Sequence, residues 1–240
     1  MLTTDPHAIV ELRQYTLHPQ QREVLIDLFD REFVETQEAQ GMRVLGQFRD
    51  LDRPDRFVWL RGFADMPARH RALEGFYGGP VWAAHRHAAN ATMIDSDNVH
   101  LLRPAWPHCR PSAARAAAAR HPGAAAGVLQ LTMFPLREPA TPQLLDFCRH
   151  RMAPTLLRGG ARQLAWFCTE HSPNTFARLP VREGEPVLVG LALFGDEAAL
   201  QSFADSGAWA RDVTPGLAPW LAAAPEVLRL QPTARSALHA

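Results

Sequence analysis

One order of secondary-structure signals occurs twice along the chain, and that repetition restricts the fold more than any single motif. The first half opens on the strand-like "VELRQYTL" and continues into "PQQREVLIDLFDREFVETQEAQG". There Val24, Leu25, Leu28, Phe29 and Phe33 recur at helical spacing, and Gly41 supplies a stop. Two β-rich runs follow, "MRVLGQFRD" and "RFVWLRGF", joined by the turn "LDRPD". The helical segments "MPARHRALEGFY" and "PVWAAHRHAANATMI" come next, and "NVHLLRP" closes the half as a strand. The second half repeats the order with "GVLQLTMFPL", "TPQLLDFCRHRMAPTLLRG", "RQLAWFCTE", "EPVLVGLALF", "EAALQSFADSGAWARDV" and "PEVLRLQ". Each half is therefore a β-α-β-β-α-β unit of the split-βαβ, ferredoxin-like kind.

Local matches support a duplication. Ala72-Leu73, Phe76 and Trp82 match Ala199-Leu200, Phe203 and Trp209 in spacing, and Phe63/Asp65 and Phe194/Asp196 precede the corresponding helices. The expected organisation is a first domain over 1–104, a Pro/Ala/Arg-rich linker over 105–126, a diverged second domain over 127–232 and a tail over 233–240. A short helix is expected in the linker around 113–120. After its helices cover one sheet face, each half is left with a second apolar face, and burying those two faces against each other is economical. The expected fold is α+β: two ferredoxin-like halves packed sheet to sheet as an α/β barrel.

Composition removes several classes of function. Acidic and basic residues balance at 25 each, so no electrostatic footprint for nucleic acid or an anionic membrane is present. No apolar run reaches membrane-spanning length and the N-terminus lacks signal-peptide features, which makes a cytoplasmic protein the expectation. All of the basic residues are arginine, and a guanidinium cannot lose its proton to form a Schiff base. The missing lysine also excludes a Walker-type phosphate loop, and neither GxGxxG nor GxSxG occurs. Cys109, Cys148 and Cys168 form no CxxC and read as reduced structural thiols.

The two halves differ where chemistry could sit. Aligned on their first strands, Glu11, Arg13 and Tyr15 stand opposite Gln130, Thr132 and Phe134. Aligned on the tryptophans, His85 stands opposite Asp212. This asymmetry suggests one functional pocket in the first half, with the second half as scaffold. In that reading Glu11 is the general base or proton shuttle, Arg13 holds a carboxylate or enolate oxygen, Tyr15 donates to the same oxygen, and His85 is a further acid/base. Trp59 and Arg61 share a strand face with Phe57 and Phe63, and with Trp82 they would bind a small, flat, partly apolar, anionic ligand. The competing structural reading is a buried Glu11–Arg13 ion pair, with Tyr15 packed between the sheets. A metal site is not expected, because His85 and His87 are two apart on a helix and "DSDN" (95–98) reads as a turn.

"VELRQYTL" together with "GFYGGPVWAAHRHAANATMIDSDNVHLLRP" resembles the NIPSNAP family of the dimeric α/β-barrel superfamily, over residues 8–104. The resemblance implies ferredoxin-like halves in a barrel, often with further oligomerisation, and leaves the chemistry open. Relatives with the fold include cofactor-free monooxygenases, isomerases and haem-binding enzymes. The leading expectation is a small-molecule-binding barrel without a cofactor, acting by proton transfer or oxidation at an activated carbonyl. The alternatives are a non-catalytic assembly or partner-binding protein, and a haem-binding barrel in which His85 faces a large apolar cavity.

Overall fold

The computed structural model describes residues 8–107, 109 and 127–240. The linker helix expected around 113–120 lies outside the described residues. Eight antiparallel strands close into one barrel: β1 (Ile9–Leu17), β2 (Arg43–Asp50), β3 (Arg56–Phe63), β4 (Met93–Pro104), β5 (Val128–Pro135), β6 (Gln163–Thr169), β7 (Val187–Phe194) and β8 (Glu226–Pro232). Their order is β1-β3-β2-β8-β5-β7-β6-β4. Each half thus contributes a sheet in which its first and third strands are central and its second and fourth are edges. The edges are then consumed by the other half. β2 pairs with β8 through Phe48↔Pro232, Arg49↔Gln231 and Asp50↔Leu230, and β4 pairs with β6 through Leu102↔Thr169, Arg103↔Cys168 and Pro104↔Phe167. The halves therefore meet edge to edge as well as face to face, which leaves no long unpaired edge strand among the described residues.

Helices cover the outside. In the first half α1 (Arg22–Leu28) runs through a π-helical turn, Phe29–Phe33, into α2 (Val34–Glu38), and α3 (Met66–Tyr77) and α4 (Pro80–Asn90) follow β3. In the second half α5 (Pro142–Phe147) passes through Cys148–Met152, again π-helical, into α6 (Ala153–Arg158). The shorter α7 (Glu197–Asp205), α8 (Ala208–Asp212) and α9 (Thr214–Leu217) replace α3 and α4. The π turns fall at matching positions after β1 and β5, a second mark of duplication. The Asp caps read from the sequence are formed: Asp65 accepts from Ala68 N at 2.6 Å and Asp196 from Ala199 N at 2.7 Å. Gly41, at φ +87°, ends the first helical stretch in the left-handed conformation that favours glycine.

Both faces of every central strand are buried, and three apolar clusters result. Val10, Leu12, Val58, Leu60, Leu131, Val189, Leu191 and Leu230 fill the barrel. Tyr15, Phe29, Phe33, Phe57, Trp59, Phe63 and Phe76 lie between the first sheet and its helices. Phe134, Cys148, Trp166, Phe194, Phe203 and Leu217 do the same in the second half. Among the described residues, no helix is long and apolar enough to cross a membrane.

Candidate functional site

Alternation along β1 sends Val10, Leu12 and Gln14 into the barrel and Glu11, Arg13 and Tyr15 outward, beneath the helices. The outward set is not open to solvent: Glu11 is fully buried and Arg13 is 1% exposed. Glu11 Oε2 accepts from Arg13 Nη1 at 2.9 Å and Arg61 Nε at 2.7 Å, while Oε1 accepts from Arg69 Nε at 2.6 Å. Arg13 Nε donates to the Tyr15 hydroxyl at 2.9 Å. Arg61 Nη1 donates to Gln37 at 2.9 Å, and Arg69 Nη1 to Asn174 at 3.0 Å. Burial alone would raise the Glu11 pKa, but the guanidiniums of Arg61, Arg13 and Arg69 outweigh it and hold the carboxyl well below the usual carboxylate range. Such a carboxylate is no proton acceptor at neutral pH. Three cations around one anion leave a surplus of positive charge, and aromatic faces absorb part of it. The Arg61 guanidinium lies 5.0 Å from the Trp59 ring centre, and that of Arg13 lies 5.5 Å from the Tyr15 ring centre.

The cavity expected at this place, bordered by Arg13, Tyr15 and His85, is not formed. What remains under the first-half helices is about 30 Å³, walled by Tyr15, Phe29, Phe33, Trp59, Tyr77 and Trp82. That is room for a water or two and not for an organic ligand. Trp82 is packed into this wall, edge to face with Tyr77 at 4.9 Å and tilted against Phe33 at 5.8 Å between ring centres. His85 is one-third exposed and stands apart from the arginines; its partners are Glu32, 3.6 Å away, and the Phe33 ring. The Glu11–Arg13 ion pair of the structural reading is formed, but Tyr15 lies beneath the helices rather than between the sheets, because the barrel interior receives the other face of β1.

The equivalent space in the second half is open. Strand pairing matches Glu11↔Arg61 with Gln130↔Ala192, Arg13↔Trp59 with Thr132↔Gly190, and Tyr15↔Phe57 with Phe134↔Leu188. Counted from the two Asp caps, Leu200 stands where Arg69 stands, although by its apolar pattern it matches Leu73, one helical turn further along the longer first-half helix. Four charged side chains and an indole are thus replaced by Gln, Thr, Ala, Leu and Gly. The second half's own tryptophan comes from the neighbouring strand. Trp166 lies over Gly190, where a Cβ would meet the indole at 2.6 Å, so glycine is required there. The resulting cleft holds about 380 Å³ between β5 and the helices. Its walls are Phe134, Phe203, Trp209, Leu217 and Val227, with Gln130 and Thr132 as the polar groups on the sheet side. Gln130 Nε2 donates to Thr132 Oγ1 at 3.2 Å, which leaves the threonine hydroxyl hydrogen free for a ligand acceptor. No His, Cys, Met or Tyr lines the cleft, so it has no axial ligand for haem iron. His85 does not face a large apolar cavity either.

A second cavity of about 380 Å³ opens at one mouth of the barrel, lined by Asn98, His100, Met133, Arg182, Glu185 and Glu226 among others. Sequence reasoning missed these residues. Their signal was the change from aliphatic to polar along the inward rows of β1 (Val10, Leu12, Gln14) and β4 (Leu102, His100, Asn98). All three cysteines are buried; burial pushes the Cys109 thiol up to about 12 and raises the other two. Those thiols are inert toward thiolate chemistry.

Comparison with known proteins follows the same division. The fold is shared with a candidate monooxygenase from Lactobacillus acidophilus NCFM (TM-score 0.61, 10% identity, covering 93% of each chain). A candidate monooxygenase from Fusobacterium nucleatum also has TM-score 0.61, at 8% identity over 93% of this chain and 91% of its own. An anthrone oxidase-like protein superposes at TM-score 0.55 with 13% identity, over 95% of this chain and 92% of its own. No protein of curated function matches the sequence. The NIPSNAP family profile matches residues 10–107, the half that carries the buried arginine network. Residues 10–107 are therefore similar to a NIPSNAP domain, and the second half, outside the matched region, completes the barrel.

Proposed function

We propose that the second-half cleft binds a flat, uncharged, largely apolar carbonyl compound, with its rings between Phe134, Phe203 and Trp209 and its carbonyl oxygen toward Thr132 and Gln130. The observation that carries this reading is the cleft itself: about 380 Å³ of apolar space with a free hydroxyl donor on one wall, where the sister half is packed solid. The ligand is uncharged in this reading because the cations that favoured an anion are spent on Glu11. The oxidase-like name of one fold neighbour agrees in ligand class, since an anthrone is a planar tricyclic ketone. No side chain lining the cleft is an acid or a base, so its own contribution is binding and orientation. The proton-transfer roles given to Glu11, Arg13, Tyr15 and His85 find no support in this geometry.

Anthrone and anthraquinone added to the full chain test the reading. At a ligand excess of about 100-fold over Kd, binding stabilises the fold by about 2.7 kcal/mol. A thermal shift of a few degrees is expected, and Ala204→Trp, which fills the cleft from an exposed helix position, should abolish it. No shift with either compound, or an equal shift in Ala204→Trp, overturns the assignment. Following anthrone in air also reads out turnover. Oxidation of its ring methylene to a second ketone consumes one dioxygen, places one oxygen atom on that carbon and releases the other as water with both methylene hydrogens.

A further inference from the structure

The cavity at the barrel mouth is separate from the cleft. The Leu136↔Leu221 bridge divides the two, and strand alternation makes β5 a wall of both. Gln130, Thr132 and Phe134 face the cleft, while Met133 and Pro135 face the mouth. On β8, Val227 lines the cleft and Glu226 the mouth. An eight-stranded barrel has room inside for side chains or for one small ligand. Here aliphatic side chains fill the interior up to Leu12, Leu131 and Val189, and the polar ring above them leaves the mouth open.

The groups in that ring define a ligand. Asn98 Oδ1 is buried and has no hydrogen-bond donor among the described residues, an arrangement that is costly unless something supplies one. His100 is 4% exposed; burial, aided by the nearby Arg182 guanidinium, pushes its pKa down to about 4. The ring is therefore neutral at pH 7, with one nitrogen to donate and one to accept. The charged groups satisfy one another: Arg182 pairs with Glu185 at 2.8 Å, and Glu226 accepts from Arg53 at 2.9 Å and Arg56 at 3.0 Å. Each charged side chain that lines the cavity thus has an oppositely charged partner in place, and Arg56, the second arginine on Glu226, also donates to Gln14. Met133, Pro135, Leu136, Pro186 and Val187 form an apolar wall.

We infer that the barrel mouth is a second small-molecule site, for an uncharged ligand with an apolar body and a hydroxyl group donating to Asn98 Oδ1 beside the His100 imidazole. Gln14 supports the site from beneath: its Oε1 is held by Arg56 at 3.0 Å, and its Nε2 reaches the weak acceptor Sδ of Met133, at 3.4 Å.

The test uses 1-naphthol and naphthalene, which differ by the hydroxyl alone, titrated into the full chain. The His100 imidazole resonance is assigned by its loss in His100→Gln. 1-Naphthol should shift that resonance and bind at least tenfold more tightly than naphthalene, and Asn98→Leu should remove the preference. Ala222→Trp, at an exposed rim position, should block binding without changing the melting temperature. Ala204→Trp should leave it intact, which separates this site from the cleft. No His100 shift up to the solubility limit, equal affinity for the two compounds, or undiminished binding in Ala222→Trp would mean that the mouth holds water only.

Discussion

The two halves share a strand order, a π-turned helix and an Asp-capped helix, yet they use the space between sheet and helices in opposite ways. The first half fills it with one carboxylate, three guanidiniums and a layer of aromatic rings, and leaves about 30 Å³. The second half puts Gln130, Thr132, Ala192 and Leu200 at the corresponding positions and leaves about 380 Å³. In a duplicated fold, a row of buried charges can thus serve packing alone. Here it works as a strut, and the plainer sequence leaves the larger space beneath its helices. The strut is stable only as a unit, because each guanidinium was taken out of water on the strength of Glu11 and the surrounding rings.

Removing the centre of the strut should break this contrast most severely. Glu11→Gln leaves three buried guanidiniums without a counter-charge and should cost about 3–5 kcal/mol, read from urea denaturation midpoints. The second-half counterpart Gln130→Ala removes a half-buried amide and should cost less than about 1 kcal/mol. Equal losses at the two positions would show that Glu11 is not a keystone.

The next effect is on pH dependence. The His100 imidazole takes a proton near 6.5 when unfolded but only near 4 when folded. Its contribution is therefore fully present above pH 6.5 and is lost as pH falls toward 4, about 2 kcal/mol between pH 7 and 4.5. Asp30 has the opposite sign, since burial raises its folded pKa from 3.8 to about 6, and the fold gains stability as pH falls through that window. Denaturation at pH 7 and 4.5 should show His100→Gln less acid-sensitive than the parent and Asp30→Asn more so. The Glu11 contribution, with a depressed folded pKa, is lost only as pH drops below about 4.5.

Smaller changes sharpen the comparison. Phe203→Ala widens the open cleft at a position 5% exposed and should cost about 3 kcal/mol or less, at the low end for a phenylalanine because the site already adjoins a cavity. The matched caps serve as an internal control: Asp65→Ala and Asp196→Ala should each cost about 1 kcal/mol, and thermal melts of the pair should agree. A large disagreement would show that the helices, not only the spaces beneath them, have diverged in stability.

Much of this was legible along the chain. The repeat, the strand faces, the Asp caps, the Gly41 stop and the opposition of Glu11, Arg13 and Tyr15 to Gln130, Thr132 and Phe134 all follow from local spacing. The meaning of that opposition was not legible. Alternation separates the two faces of a strand, but in a closed barrel both faces are buried, so it cannot say which one meets helices and which one meets a cavity. Glu11 is closed in by Arg61 and Arg69, 50 and 58 residues away, and Arg69 is anchored by Asn174, 105 residues further on. No window of sequence contains those partners.

The sequence by itself determined the two ferredoxin-like units and their relation, because periodicity, caps and turns are local properties of the chain. Tertiary structure alone decided which space was filled and which was left open. Side chains from distant strands and helices compete for the same volume, and a single indole carried by β6 instead of β7, the counterpart of β3, or an arginine replaced by leucine, changes the outcome. The strand "VELRQYTL" shows both sides of this. Its charged face, conspicuous in sequence, is sealed, while Gln14 on its quiet face reaches the open mouth of the barrel.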